Sequence, residues 1–571
     1  MPLTVPTSAR RAAPLPVFTK VVVAGGGPVG LAAAIELGQR GIPCLVVEPR
    51  TTVAHTRPRC KTINVRSMAH LRRWGLADRL RARAPLSTKW SQEVVFCTSL
   101  AGQELSHFTG VFGLTAQGDR FPELGQQAPQ YVLEELLREV VEELTPCQLV
   151  TGSRVVAVRQ DDAEALVTVE DQEGRRSVVA AEYVLGCDGP RSVVRDQIGS
   201  DYVGDFALRP NFGMMFRAPD LWQRVRHRPA VQYWVVNRGA PSLIGPVDLE
   251  GLWWMIAIGV DRETGERDGQ QLIQSAVGAP VKAKIVSTDP WTARMQIVNQ
   301  LRCGRVFLAG DAAHLNPPFG GHGLNTGLGD AVDLGWKLAA VLDGWGGPLM
   351  LDSYEVERRP VQAAVIDAAV ANMSVLSAEL LHDGLEVPGP VGDRARELAN
   401  ARIQETKAAE FHALDLVLGS SFEYSPLTAP DSGEATSGHH QSGNSGRPGT
   451  LLPHAWLSPG RSIYDELGRD LTLLVVGGEP AGARAMFEQV CRERGAPLSV
   501  VDLREAGLRD RYHANLMLVR PDQHVAWRGD GPPQDPVALI DRVRGARMIE
   551  APDHSRTSRI RATEEEENVC L

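Results

Sequence analysis

The chain contains no apolar run near the roughly eighteen residues that a membrane-spanning helix requires, no block of basic residues and no Cys-x-x-Cys pair. The first absence excludes a helical membrane span, and the second removes the electrostatic footprint of a nucleic-acid binder. The third removes dithiol chemistry and the short ligand spacings of structural zinc sites. The eight cysteines, Cys44, Cys60, Cys97, Cys147, Cys187, Cys303, Cys491 and Cys570, stand apart and read as individual reduced thiols of a cytoplasmic protein. Charge is nearly balanced, with 60 basic against 69 acidic residues and a net charge of -9 spread over 571 positions. A chain of that length is too long for one ordinary core and implies two or three domains. Residues 1–18 have their apolar part broken by prolines, lack a signal-peptide core and read as a disordered lead-in. Cys570 is second from the end, so the prenylation pattern is not met.

What is present is concentrated in two glycine-rich stretches. In the first, Val21 to Ala24 read as a buried parallel strand, followed by Gly25, Gly27 and Gly30, a helical segment, and a second apolar strand ending in Glu48. The glycines supply a tight turn, a close approach to pyrophosphate and close helix packing, and the acid hydrogen-bonds a ribose hydroxyl. The strand–turn–helix context and the acid after the second strand make this a dinucleotide fingerprint rather than a lone glycine turn. In the second stretch, the apolar run Arg305 to Ala309 delivers Asp311. Pro317, Pro318, Gly320, Gly321 and Gly323 follow, then a helix from Leu324 to about Asp343. A carboxylate at a strand end suits a sugar or polyol hydroxyl, and a glycine loop leading into a helix N-terminus suits a flat or anionic group.

Together with a third motif, Cys187-Asp188-Gly189-Pro190-Arg191, these stretches resemble the FAD-dependent aromatic-ring monooxygenases of the p-hydroxybenzoate hydroxylase and phenol hydroxylase type, over roughly residues 19–372. The resemblance implies FAD held by Gly25, Gly27, Gly30, Glu48, Asp188 and Asp311, with Pro318, Gly323, Leu324 and Asn325 beside the flavin. It also implies NADPH or NADH as electron donor. Arg57 and Arg59, in a loop before a helix, would face the pyrophosphate or the nicotinamide cofactor as bidentate phosphate donors. Gln130, heading the helix after Pro129, matches a flavin-contacting glutamine. His322 stands where many relatives carry Gln or Lys and would place a pH-dependent charge beside the flavin.

The organisation expected is α/β. A Rossmann-type FAD-binding domain spans 19–201 and 302–421, with a hairpin over Arg154–Gln160 and Ala165–Glu170 and a long helical region broken at Pro360. A β-rich substrate domain is inserted at 202–301. The Ser-, Gly- and Pro-rich stretch 422–449 reads as an exposed linker. Residues 450–549 resemble the thioredoxin-like C-terminal domain of phenol-hydroxylase relatives, without redox cysteines, so a structural or homodimer-supporting role is expected. Residues 550–571 form a charged tail.

The resemblance implies hydroxylation of a small phenolic or polyketide-type aromatic with dioxygen, through a flavin hydroperoxide. Baeyer–Villiger insertion, epoxidation and a non-oxygenating FAD protein of the same fold are the alternatives. Tyr233, Trp253 and Trp254 are candidates for the substrate wall. No His or carboxylate in the inserted domain stands out as a base, so no catalytic residue is named. No metal site is expected.

Overall fold

The computed structural model describes residues 14–56, 61–376, 379–422, 424–431, 446–503, 505 and 507–546. Arg57 and Arg59 therefore lie outside the described residues, as do most of the 422–449 stretch, the lead-in up to residue 13 and the tail from residue 547.

The apolar runs read as buried strands form one parallel layer. Strands Val306–Leu308, Arg176–Gly186, Phe18–Ala24, Cys44–Glu48 and Cys147–Thr151 lie side by side in that order, all parallel. Continuous runs such as Val21-Val22-Val23, fully buried, are what a sheet covered on both faces demands. The predicted hairpin is Ser153–Gln160 with Ala165–Asp171, and it pairs onto Arg176–Gly186. Helices Pro28–Gln39, Gln130–Glu143 and Gly323–Leu342 pack together against this layer. A Cβ on Gly335 would come 2.6 Å from the Glu36 side chain, which shows how closely the first and last of these helices approach. Helix Pro348–Met373 runs unbroken through Pro360, contrary to the expected interruption.

The second sheet is larger than the stretch 202–301 predicts. Its order is His314–Leu315, Lys284–Val298, Tyr202–Arg217, Leu252–Ile258, Ser242–Pro246, Gln232–Val235, Glu93–Cys97 and Glu104–Thr109. The last two strands come from the first segment. They cover an edge that the inserted strands leave open, through a parallel register of Gln232–Val235 on Val94–Cys97. Helix Arg262–Val277, capped by the Asp261 side chain at its start and by left-handed Gly278 at its end, closes one face. The opposite face looks toward the loop before helix Gly323–Leu342, because Phe319 of that loop packs with Trp234.

The C-terminal sheet has the order Leu498–Asp502, Leu471–Val475, Leu516–Val519, Val525–Gly529. Its first pair is parallel and the others are antiparallel. It is not a detached module. Trp336 and Ala340 of one long helix, Met350 of the next and Trp345 of the turn between them share a core with Leu471, Phe487, Leu516 and Ile540. The expected linker is also packed at its described end: Ser425, Leu427 and Ala429 are buried, and the Ala429 N–H bonds Ala526 O at 2.9 Å.

Arg520 is fully buried and reaches Glu357 at 2.7 Å through both carboxylate oxygens, Asp522 at 2.6 Å and Asp333 at 3.4 Å. Lys337 completes the cluster at 2.9 Å from Asp333 and 2.6 Å from Glu357. One residue departs from the reading of uniformly reduced thiols: Cys303 is disulfide-bonded. Among the described residues no helix is long and apolar enough to cross a membrane.

Candidate active site

Three motif segments leave the carboxyl ends of three adjacent parallel strands: Gly25 after Ala24, Cys187-Asp188 after Gly186, and Gly310-Asp311 after the strand ending at Leu308. Ligands of open α/β sheets bind at that end. The segments touch one another. A Cβ on Gly25, whose φ is +102°, would fall 2.4 Å from Cys187 O, and one on Gly310 would meet Val29 at 2.9 Å. Gly30 packs so tightly that its Cβ would lie 2.0 Å from Gly25 O, whereas Gly27 has nothing within 4 Å of that position. Gly27 therefore faces open space, where a ligand can approach the backbone closely.

Two helices start at this cleft, Pro28–Gln39 and Gly323–Leu342, and neither has a side-chain cap. Uncapped helix starts present N–H groups and a positive dipole end, which fits a cofactor carrying a pyrophosphate and an anionic ring. Glu48, buried, accepts the Gly26 N–H at 2.8 Å and the Arg50 Nε at 2.6 Å. Arg50 also reaches Glu134 at 2.9 Å. Gln130 opens helix Gln130–Glu143 and hydrogen-bonds Glu134, one turn along.

Asp188 is committed to structure. Its carboxylate accepts from the Ser192 hydroxyl and from Val193 N–H at 2.8 Å, holding the start of helix Val193–Gln197. Burial raises its pKa, opposed by those hydrogen bonds. Asp311 is exposed at the cleft, and its carbonyl accepts from Tyr202 Oη. Behind it, Asp330 is fully buried, accepts the Gly310 N–H at 3.1 Å, and contacts His314 at 2.9 Å and Arg358 at 2.8 Å. Burial pushes the Asp330 carboxyl up, but Arg358 and His314 outweigh it and hold the pKa down at about 2. The anchoring residue of the loop is thus Asp330, which carries no sequence signal beyond its place on a helix.

Pro318 is exposed on that loop and Leu324 is half-buried. Asn325 ties the loop to the neighbouring turn, donating from Nδ2 to Gly321 O at 2.7 Å and Thr62 O at 2.9 Å, and accepting the Asn64 N–H at 3.0 Å. Under the loop, Glu410 accepts from the Gly320 N–H and pairs with Lys407 at 2.8 Å, both groups being buried. Lys407 also stacks over Trp234 at 4.3 Å. Sequence reading missed this pair, since nothing in helix Pro390–Phe411 points to the loop.

His322 differs from expectation. It is buried, and burial pushes its pKa down to about 4, so it is neutral near pH 7 rather than a variable charge. The three aromatics assigned to one wall also separate. Successive residues of a strand face opposite ways. Tyr233 and Trp253 accordingly pack with Phe212, Ile273 and Val277 under helix Arg262–Val277, while Trp254 lies on the loop-facing side. Tyr233 Oη is spent on Arg228 O at 2.9 Å. On the loop-facing side the sequence offers Trp234 in place of Tyr233.

Residues 18–369 match a family model described as an FAD binding domain, and 445–546 one described as aromatic-ring hydroxylase, C-terminal. The chain is 32% identical to a 4-methyl-5-nitrocatechol 5-monooxygenase of Burkholderia sp, over 92% of this chain and 96% of that one. It is also 32% identical to a putative polyketide hydroxylase of Streptomyces halstedii, over 90% and 93% respectively. Among solved structures, the rebeccamycin biosynthetic enzyme RebC with reduced flavin superposes with a TM-score of 0.85 at 34% identity, covering 93% of this chain and 100% of RebC. The chain belongs to the FAD-dependent aromatic-ring monooxygenases.

Proposed function

We propose that the protein uses NADPH or NADH and dioxygen to hydroxylate a phenolic or polyketide-type aromatic. The observation that carries this reading is the meeting of the three motifs at adjacent strand ends, facing a sheet whose loop side is lined by Trp234, Trp254 and Phe319. Bound FAD supplies electron transfer from the nicotinamide and delivery of one oxygen atom to an electron-rich ring. The chain supplies placement, charge and exclusion of water.

In this reading the open face above Gly27 and the start of helix Pro28–Gln39 take the pyrophosphate, with Gly25 and Gly30 shaping the turn. Glu48 takes a ribose hydroxyl with its orientation set by Arg50, and Gln130 lies beside it across Glu134. Asp311 takes the ribityl or ribose side. Pro318, Gly323, Leu324 and Asn325 border the ring system, where the start of helix Gly323–Leu342 favours negative charge on the reduced flavin. Asp188 acts indirectly, by holding the turn against Gly25, and Arg57 and Arg59 are assigned to phosphate recognition. The apolar loop-side wall keeps water from the reacting oxygen. The strand order and pairing of the C-terminal module support a thioredoxin-like fold, serving structure rather than redox chemistry.

The test is direct. The purified protein is expected to be yellow and to consume NAD(P)H with oxygen uptake that a panel of phenols and polyketide phenols stimulates. A flavin-free folded protein, or NAD(P)H consumption that no aromatic changes, overturns the proposal.

A further inference from the structure

Lys61 immediately precedes the short strand Thr62–Ile63 and carries no ion pair to any described carboxylate. Its amine donates to Val231 O and sits 4.7 Å from the centre of the Trp254 ring, on the loop-facing side of the second sheet. At the same spot, Trp254 Nε1 is buried without a hydrogen-bond partner. Gly245 lets these groups crowd together, since a Cβ there would lie 2.8 Å from Val231 O and 2.9 Å from Trp254 Nε1. An amine and an indole N–H are therefore neighbours where only a glycine fits, in a wall otherwise made of Trp234, Leu243 and Ile256. A buried donor left unsatisfied costs stability. Trp254 Nε1 lacks an acceptor, and the neighbouring amine adds a group able to hold an oxygen anion beside it.

The position is coupled to the flavin loop. Thr62, the next residue, accepts from Asn325 Nδ2 at 2.9 Å, and a Cβ on Gly321 would meet it at 3.1 Å.

Resting on the reading that the substrate is a phenol, we propose that Lys61 is the base of the aromatic site: its neutral amine takes the proton of the substrate hydroxyl, and the resulting ammonium, with Trp254 Nε1, holds the phenolate oxygen. The step is a proton transfer that turns amine and phenol into ammonium and phenolate, with no change of oxidation state. A phenolate pushes more electron density into the ring than a phenol, which is what electrophilic oxygen delivery needs. Burial lowers the Lys61 pKa to about 7, with no charged neighbour contributing, so the free base is available at neutral pH. A base poised near the working pH is the favourable case for proton transfer.

The probes are 4-nitrophenol and 4-nitrocatechol, whose neutral and ionised forms absorb differently, titrated into the FAD-loaded wild type, Lys61→Met, Lys61→Arg and Trp254→Phe. Flavin content and thermal midpoint serve as the fold check. In the wild type the bound probe is expected to ionise about one pH unit or more below the free probe, a roughly tenfold gain in phenolate. Lys61→Met should abolish the shift and move substrate-stimulated oxygen uptake to higher pH. Lys61→Arg should keep the probe bound as phenolate but lose the pH profile of a titrating base, because guanidinium does not deprotonate. Trp254→Phe should reduce the shift. A probe bound as the neutral phenol by wild type, no binding of either probe, or an equal ionised fraction in Lys61→Met overturns the assignment. Stimulated oxygen uptake together with an unshifted probe sinks Lys61 alone. Unstimulated uptake across the whole phenol panel sinks the function reading itself.

Discussion

Removing Arg520 should loosen the flavin helix from a distance. The guanidinium is fully buried, makes two 2.7 Å contacts with Glu357 and one of 2.6 Å with Asp522, and joins the C-terminal module to helices Gly323–Leu342 and Pro348–Met373. Arg520→Met keeps much of the volume but leaves Glu357 and Asp333 to share Lys337. Breaking a buried pair from one side costs about 3–5 kcal/mol. A chain of this length has an unfolding entropy on the order of 1 kcal/mol/K, so the thermal midpoint should fall by about 3–5 °C if it unfolds as one unit. Desolvation holds the Asp333 carboxyl above the ordinary carboxylate range, while Arg520 and Lys337 hold Glu357 below it. Without Arg520 the remaining acids gain affinity for protons, so the loss should deepen as pH rises and shrink as acid neutralises them. The assay is denaturation followed by flavin fluorescence and by circular dichroism, across pH, for Arg520→Met, Glu357→Gln and the pair together. The double variant should recover part of the loss, because no charge is then left facing an empty site. A loss under about 1 kcal/mol, or strictly additive single effects, would refute the view that this cluster couples the module to the flavin helix. The same coupling predicts that truncation near Gly449 costs flavin retention as well as stability, since Trp336 and Trp345 lose their shared core.

Asp311→Ala should yield mostly apoprotein after dialysis, read from flavin absorbance; full retention would remove Asp311 from the cofactor site. Glu410→Ala removes the acceptor of the Gly320 N–H and strands buried Lys407, so it should cost about 3–5 kcal/mol and speed flavin release, with Glu410→Gln restoring part of the retention. His322 stays neutral in the folded chain down to about pH 4, whereas an ordinary histidine takes its proton near 6.5. The unfolded state therefore binds the extra proton between those values. Wild-type stability should fall as pH drops through that window and level off below it, and His322→Gln should flatten this part of the profile. Over neutral to alkaline pH the same variant should leave the pH dependence of flavin reduction unchanged, and a changed profile in stopped-flow would restore a charged role for His322.

The cleft proposed to hold the cofactor was legible from residues because its signals are local. A buried strand, a glycine turn and a helix follow one another within a dozen positions, and the close contacts of Gly25, Gly30 and Gly310 are where a side chain has no room. Adjacent residues on a strand must face opposite ways, so Trp253 and Trp254 could never line one wall; which of them meets the flavin loop was decided by where helix Arg262–Val277 packs. Partners far apart in sequence left no such trace. Asp330 supports Gly310 from twenty positions on, Glu410 holds Gly320 from ninety, and Arg520 reaches Glu357 across 163. The strands Glu93–Cys97 and Glu104–Thr109 read as part of the first segment, yet they complete the second sheet. Sequence alone determined the strands, turns and glycines that a bound dinucleotide requires, because each depends on neighbours within one turn or one hairpin. Tertiary structure decided which polar groups are stripped of water and which of them meet, and burial is what neutralises His322, lowers the Lys61 amine and joins the C-terminal module to helices Gly323–Leu342 and Pro348–Met373.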